Sequence, residues 1–345
     1  MTRQPLRIGV VGCGWAGLQA VRAATASPRT EVVAVSDLTE ELRNRVADEF
    51  TIEGRYSQYQ DLLRDDAVEA VYLAVNPVMR YPMVLDAFAA GKHVLVQKPH
   101  AVNAQHILTF EAAAAQAGKT IQFCYFMRSF PKNRQIHAAV AQGRIGTPYH
   151  GRIFFRFNYL PALEGIEKWL HVYGQKGGTL GQHASHELDL VWWWMGCPTP
   201  QWAFATKHCL YSGYSGPEGP SEDYFSGTVG FEGGATIQID CSRWLHGNAP
   251  AVVELYGKEG AISGGALQRH ADGQFTTEAI DGPIDLPYSE APDPVPSFFY
   301  EIERFAMAVE GSATPEVNAR EAHVFMKILD ALYDSARLGI KITIG

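Results

Sequence analysis

Over the first 120 residues, short apolar runs alternate with longer stretches whose apolar positions recur every three or four residues. The runs LRIGVVG (6–12), EVVAVSD (31–37), EAVYLAV (69–75), HVLVQKP (93–99) and TIQFCYF (120–126) predict strands. The stretches 16–27, 39–50, 81–91 and 104–118 between them predict helices. Strands and helices in strict alternation imply right-handed crossovers and a parallel, doubly wound α/β sheet.

After about residue 125 the pattern changes. Segments 149–160, 224–244 and 251–264 carry β-branched and aromatic runs broken by glycines, which predict antiparallel strands. Residues 211–221 and 281–297 are rich in glycine, proline and polar residues and predict loops. Helical periodicity returns at 297–311 and 319–339. The division expected is an α/β domain over 1–124 and an α+β domain over 125–345. A length of 345 residues suits two domains.

Composition narrows the function classes. A formal net charge of −8 speaks against nucleic acid as the main partner, because phosphate binding wants a basic face. No stretch reaches the ~20 apolar residues of a membrane span. The apolar N-terminus runs into a glycine turn, so it reads as a strand and not a signal peptide. Five cysteines, widely spaced and without a C-x-x-C pair, fit a reduced cytoplasmic protein. Cys13 reads as a small residue tolerated in a tight turn.

GCGWAG places Gly12, Gly14 and Gly17 as G-x-G-x-x-G between the first strand and the first helix. In that context Gly12 permits the tight turn, Gly14 lets the backbone approach a pyrophosphate, and Gly17 allows close helix–strand packing. Asp37 ends the second strand, 20 residues beyond Gly17, where a carboxylate can accept both ribose hydroxyls of NAD and repel the 2′-phosphate of NADP. NAD is therefore expected over NADP, although Arg43 lies within reach of the same end.

Lys98 follows the fourth strand and precedes Pro99, whose bond could be cis or trans. Ligands of doubly wound sheets bind outside the carboxyl ends of the strands, so Lys98 is expected to face the crevice. A second cluster lies in GGTLGQHASHELDLVWWWMG (177–196). On an α-helix Gln182, His186 and Asp189 would share one face, with His183 close to it. A histidine there can exchange a proton near neutral pH. His183 and His186 lack a third ligand, so no metal is expected. Trp192, Trp193 and Trp194 are expected to pack the core.

These residues resemble the Gfo/Idh/MocA oxidoreductases, the glucose–fructose oxidoreductase and inositol dehydrogenase group. The resemblance runs through GCGWAG, DAVEAVYLAV, AGKHVLVQKPHAVN, GGTLGQHASHELD, VELYGKEGAI and the tail from 301. It implies a Rossmann domain followed by a substrate-binding and oligomerisation domain with a large, mostly antiparallel open sheet. It implies that Gly12, Gly14, Trp15, Ala16, Gly17, Asp37, Asn76, Pro77, Gln97 and Lys98 bind the cofactor. It matches Lys98 and His186 to the family's catalytic lysine and histidine, with Gln182 beside them at the reacting oxygen. Four positions depart from the family pattern. Gln97 and Gln182 stand where carboxylates are usual, Arg80 where a histidine is common, and Ala184 where a glycine is frequent. An amide can orient a neighbour but holds no charge, so Lys98 and His186 are expected to lose a proton more easily than in the family pattern.

The reading that results is an NAD(P)-dependent oxidoreductase acting on a secondary alcohol or ketone of a sugar, cyclitol or glycoside. Tyr125, Arg128, Tyr159, Trp169, His171, His183, Asp189 and Arg243 are candidates to line the substrate pocket. Two alternatives remain. One is an enzyme with tightly bound NAD that uses transient oxidation for cleavage, elimination or epimerisation. The other is a non-enzymatic sugar or nucleotide sensor. The family also implies a homodimer or homotetramer, with 151–159 and 224–241 on the open sheet face.

Overall fold

The structure is a computed structural model that describes residues 4–156, 176–210, 215–216, 219–243, 251–281, 288–293 and 295–345. The expected residues Tyr159, Trp169 and His171 lie outside the described residues. The chain forms two compact units, Met1–Ser129 with Leu286–His323, and Phe130–Asp285 with Val324–Gly345.

The first unit opens with strand β1 (Leu6–Val11), helix α1 (Trp15–Ala26), β2 (Thr30–Ser36), α2 (Glu40–Glu49), β3 (Gly54–Tyr56) and α3 (Tyr59–Arg64). It continues with β4 (Ala70–Leu73), α4 (Pro77–Ala89), β5 (His93–Val96), α5 (Ala104–Ala117) and β6 (Ile121–Phe123). The six strands form one parallel sheet in the order β3-β2-β1-β4-β5-β6, as the alternation predicts. The order reverses between β1 and β4, which opens a crevice at their carboxyl ends. The short β3 and α3 escape the sequence pattern because each is under two turns or pleats of periodic signal. Helix α4 begins four residues earlier than its apolar period suggests. Asn76 caps it by accepting from the Val78 N–H at 2.8 Å, and Pro77 takes the first helical position.

The core of this unit joins Val10, Ala20, Val21, Val35, Val46, Tyr72 and Leu95 to Phe298, Ile302 and Phe305. The last two lie on a later helix with a strongly one-sided apolar stripe, Phe299–Val309. Burying each such side chain contributes about 1.5–3 kcal/mol.

The second unit begins with α6 (Pro131–Ala141), β7 (Pro148–Arg156), α7 (Ser185–Trp194) and β8 (Pro200–His208). A small pair follows, β9 (Ser215–Gly216) with β10 (Gly219–Pro220). Then come β11 (Tyr224–Phe231), β12 (Thr236–Ser242), β13 (Val252–Gly257), β14 (Ala261–Ser263), β15 (Ala266–Ala271) and β16 (Gln274–Ala279). The chain closes with α8 (Phe299–Val309, in the first unit), α9 (Ala319–Leu338) and β17 (Ile342–Thr343). Nine strands pair in the order β16-β15-β14-β13-β7-β12-β11-β8-β17. All pairs are antiparallel except β7 with β12, so the sheet is mostly antiparallel, as expected. Helix α7 packs against β7, β12 and β13. Trp192, Trp193 and Trp194 are all buried, as the sequence pattern predicts. The Trp192 indole donates to the Pro198 carbonyl, and the Trp193 ring stacks on His137 with centroids 4.0 Å apart.

Candidate cofactor and reaction site

The loop after β1 is built by close approach. Gly12 adopts φ +94°, open to glycine without strain. A Cβ on Gly17 would lie 1.7 Å from the Gly12 carbonyl oxygen, so only glycine lets α1 begin this close to the turn. The N-terminus of α1 has no side-chain cap and no acidic residue in its first turn. By contrast α4 and α5 are capped by Asn76 and Asn103. The first N–H groups of α1 thus stay available to an anion, and the helix dipole favours one.

Asp37 lies at the end of β2. Its carboxylate accepts from the Cys13 N–H at 2.7 Å and from the Thr39 N–H at 2.8 Å, which fixes its orientation beside the glycine loop. Arg43 donates to the Asp37 backbone carbonyl at 2.7 Å, so this cation stands next to the carboxylate without pairing with it. Cys13 is fully buried, and burial with the Asp37 charge pushes its thiol up to about 12. It is an inert packing residue, as expected. Trp15 and Leu38 are each 70% exposed, and Val78 and Met79 about half. All four follow β1, β2 or β4. The sequence pattern alone does not single out Leu38, Val78 and Met79, whose signal is an apolar residue directly after a strand-end acid or in a first helical turn.

The donor set fits a dinucleotide: an uncapped helix start for the pyrophosphate, an oriented carboxylate for the ribose, and exposed apolar surface for the rings. A bound nicotinamide would supply hydride acceptance and donation.

Lys98 follows β5, and the Lys98–Pro99 bond is cis. Gln97 is buried. Its amide donates to the Tyr72 hydroxyl at 2.7 Å, and its side-chain oxygen accepts from the Lys98 N–H at 2.7 Å. Where the family pattern has a carboxylate, this chain has a neutral bridge that holds the backbone of the lysine. Arg80 is also buried, and its guanidinium donates to the carbonyls of Val75, Gln97 and Pro99. Burial pushes its pKa down to about 10, so it stays charged at neutral pH. His100 is buried beneath the turn. It reaches the Cys124 carbonyl through Nε2, and burial with the nearby Arg80, Arg128 and Lys98 charges pushes it down to about 3. Its ring is therefore neutral. Tyr125 is buried against the His100 ring at 4.7 Å between centroids, and the fully buried Arg128 pairs with Glu321. As placed, neither offers surface to a substrate.

In the second unit the expected single α-helical face is not formed. Leu180–Ala184 make a π-helical turn, closed by the Ser185 N–H to the Leu180 carbonyl, and α7 starts only at Ser185. The wider turn changes the i, i+4 register between Gln182 and His186. Gln182, His183 and His186 are half-buried, whereas Asp189 is fully buried and does not join them at the accessible surface.

Three contacts fix this turn. The Leu180 N–H donates to the Glu222 carboxylate at 2.9 Å, and the Gly181 N–H to the Tyr333 hydroxyl at 2.9 Å. Lys176 pairs with Asp330. A Cβ on Gly178 would come within 2.2 Å of the Glu222 carboxylate, and Gly178 has φ +95°, so this glycine is the cradle for that acid. Burial pushes Glu222 up to about 7, opposed by the Leu180 N–H and the Arg243 charge. Arg243 is buried and donates to Ser221 Oγ and the Glu222 carbonyl, which makes it a strut of this region. Among the described residues no group of three or more His, Cys, Asp or Glu side chains could hold a metal.

Two family models match the chain in succession. The Gfo/Idh/MocA oxidoreductase family model, an NAD-binding Rossmann fold, covers residues 6–125, and the Gfo/Idh/MocA C-terminal domain covers 133–263. The chain is a nicotinamide-dependent oxidoreductase by its fold and its cofactor end. It belongs to the Gfo/Idh/MocA family.

Among curated proteins it is 27% identical to the 1,5-anhydro-D-fructose reductase of Ensifer adhaerens over 91% of each chain. It is 26% identical to D-xylose 1-dehydrogenase (NADP(+)) 2 of Haloferax volcanii over 97% of this chain and 98% of that one. Its fold matches that of GenD2 from gentamicin A biosynthesis in complex with NAD. The TM-score is 0.82 at 24% identity, over 100% of this chain and 98% of that one. It also matches levoglucosan dehydrogenase in complex with NADH, with a TM-score of 0.82 at 19% identity, over 99% and 100% of the chains.

Proposed function

We propose that the protein uses NAD to oxidise a secondary alcohol of a sugar, cyclitol or glycoside, or to reduce the matching ketone. The observation that carries this reading is the Asp37 carboxylate, oriented by two backbone N–H groups beside an uncapped helix start. The relatives named for anhydrofructose, xylose and levoglucosan support the substrate class. Lys98 serves the reacting oxygen and His186 exchanges its proton, with Gln182 orienting the histidine. The chain works in the cytoplasm, where its five free cysteines stay reduced. It assembles as a homodimer or homotetramer through the outer face of the nine-stranded sheet, which carries the exposed Phe204.

The test is absorbance at 340 nm with purified protein, NAD+ or NADP+, and a panel of sugars, inositols and glycosides. A rise with one substrate class and NAD+, lost in Lys98→Ala, is expected. Altered sugar by mass spectrometry without NADH release would replace simple dehydrogenation by chemistry on a retained cofactor.

A further inference from the structure

Among the described residues, two buried cations of this unit meet backbone carbonyls alone: Lys92 at the amino end of β5, which donates to Asp65 and Val68, and Arg80 at the carboxyl ends of β4 and β5. The three partners of Arg80 are the carbonyls of Val75 after β4 and of Gln97 and Pro99 on either side of Lys98. Among the described residues no carboxylate pairs with it. The other deeply buried arginines of this unit each meet an acid, Arg128 with Glu321 and Arg304 with Glu316. The titratable groups that feel the Arg80 charge include Tyr72, Cys124 and His100, and burial holds all three in their neutral forms. A carboxylate that would offset the charge is also missing at position 97, where the amide of Gln97 bridges Tyr72 and the Lys98 N–H instead. A buried charge is costly, and Arg80 keeps one at the end of the sheet where ligands of this fold bind.

Its place in the sheet says what the charge acts on. On the NAD reading, Asp37 at the end of β2 would hold the ribose of the adenosine half, and the nicotinamide half would fall on the β4 and β5 side of the crevice. Arg80 ties the loops after those two strands together. In the forward reaction a carbinol carbon gives its hydride to the nicotinamide C4, and the hydroxyl proton goes to a base. The ring charge falls from +1 to zero. A cation held by the carbonyls of these loops would repel a bound oxidised ring and act little on the reduced one.

We propose that Arg80 is a positioning residue whose charge makes this site bind NADH in preference to NAD+, and so favours alcohol oxidation on the enzyme. The proposal rests on the NAD reading above. It is tested on the full-length protein by equilibrium titration of NADH, NAD+ and ADP-ribose with wild type, Arg80→Lys, Arg80→Gln and Arg80→His at pH 8. Wild type and Arg80→Lys should prefer NADH. In Arg80→Gln and Arg80→His the Kd ratio of NAD+ to NADH should fall about tenfold, with ADP-ribose affinity unchanged. Equal weakening of both nucleotides, or one ratio shared by Arg80→Lys and Arg80→His, would overturn the charge role and leave a clamp only. Failure of wild type to bind ADP-ribose would instead overturn the dinucleotide reading and the proposal with it.

Discussion

At the scale of single residues, the site depends on a few groups held by backbone. Lys98 follows a buried strand and is held at its own N–H by Gln97. Lys98→Ala should lower kcat by roughly 10²–10⁴-fold, the range for loss of a positioned proton-transfer group, and by more than it weakens NADH binding. Steady-state kinetics beside a binding titration separates the two. Asp37→Ser removes the carboxylate that opposes a 2′-phosphate while Arg43 stays on the Asp37 carbonyl. The kcat/KM ratio of NADP+ to NAD+ should rise by about fivefold or more, because one lost repulsion at this range is on the order of 1 kcal/mol or above. Asp37 and Lys98 were legible in the sequence because each follows a strand whose register the motif sets. The Arg80 clamp was not. It joins a helix residue to carbonyls 17 and 19 positions further on, which no local periodicity encodes.

At the scale of elements, the segment from Gly177 to His186 shows what a sequence pattern reveals and where it stops. The glycine pair announced a break, and the structure gives its cause in the Glu222 carboxylate packed against Gly178. Gly178→Ala places a Cβ in a left-handed conformation and against that acid. It should cost roughly 1–3 kcal/mol by thermal or denaturant unfolding, the scale of local backbone strain. Serine at 178 should do no better. Unchanged stability would mean that the turn relaxes freely. The π-turn itself was illegible. Five residues bonded i to i+5 leave the same apolar signature as an α-helix, so Gln182, His186 and Asp189 looked aligned when only the first two keep access to solvent. The start of α4 departs from the apolar period for a related reason. Asn76 and Pro77 form a cap whose chemistry overrides the apolar period.

At the scale of the whole molecule, buried acids and histidines shape the pH dependence of stability. Burial raises Glu301 to about 8 and Glu222 to about 7. In the folded chain these acids keep protons that the unfolded chain has released, so their contribution falls as pH rises, until each folded value is passed. Burial lowers His93 to about 4 and His100 to about 3, so their contribution is complete above the ordinary histidine range and is lost as pH falls through it. Between pH 7 and 8 the histidines of the unfolded chain are largely deprotonated while the buried acids still titrate. Unfolding free energy should drop across that window by about 1–2 kcal/mol, since one pH unit of differential protonation is worth about 1.4 kcal/mol. Glu301→Gln should flatten the drop, and a slope identical to wild type would show that Glu301 does not titrate there. The central claim, that this chain moves a hydride between a sugar carbon and NAD, is tested most directly by isotope. Turnover of a sugar deuterated at its reacting carbon, with NAD+ in excess, should release NADH one mass unit heavier, one deuterium for each ketone formed. Ketone formed without deuterium in the released cofactor would contradict direct hydride transfer.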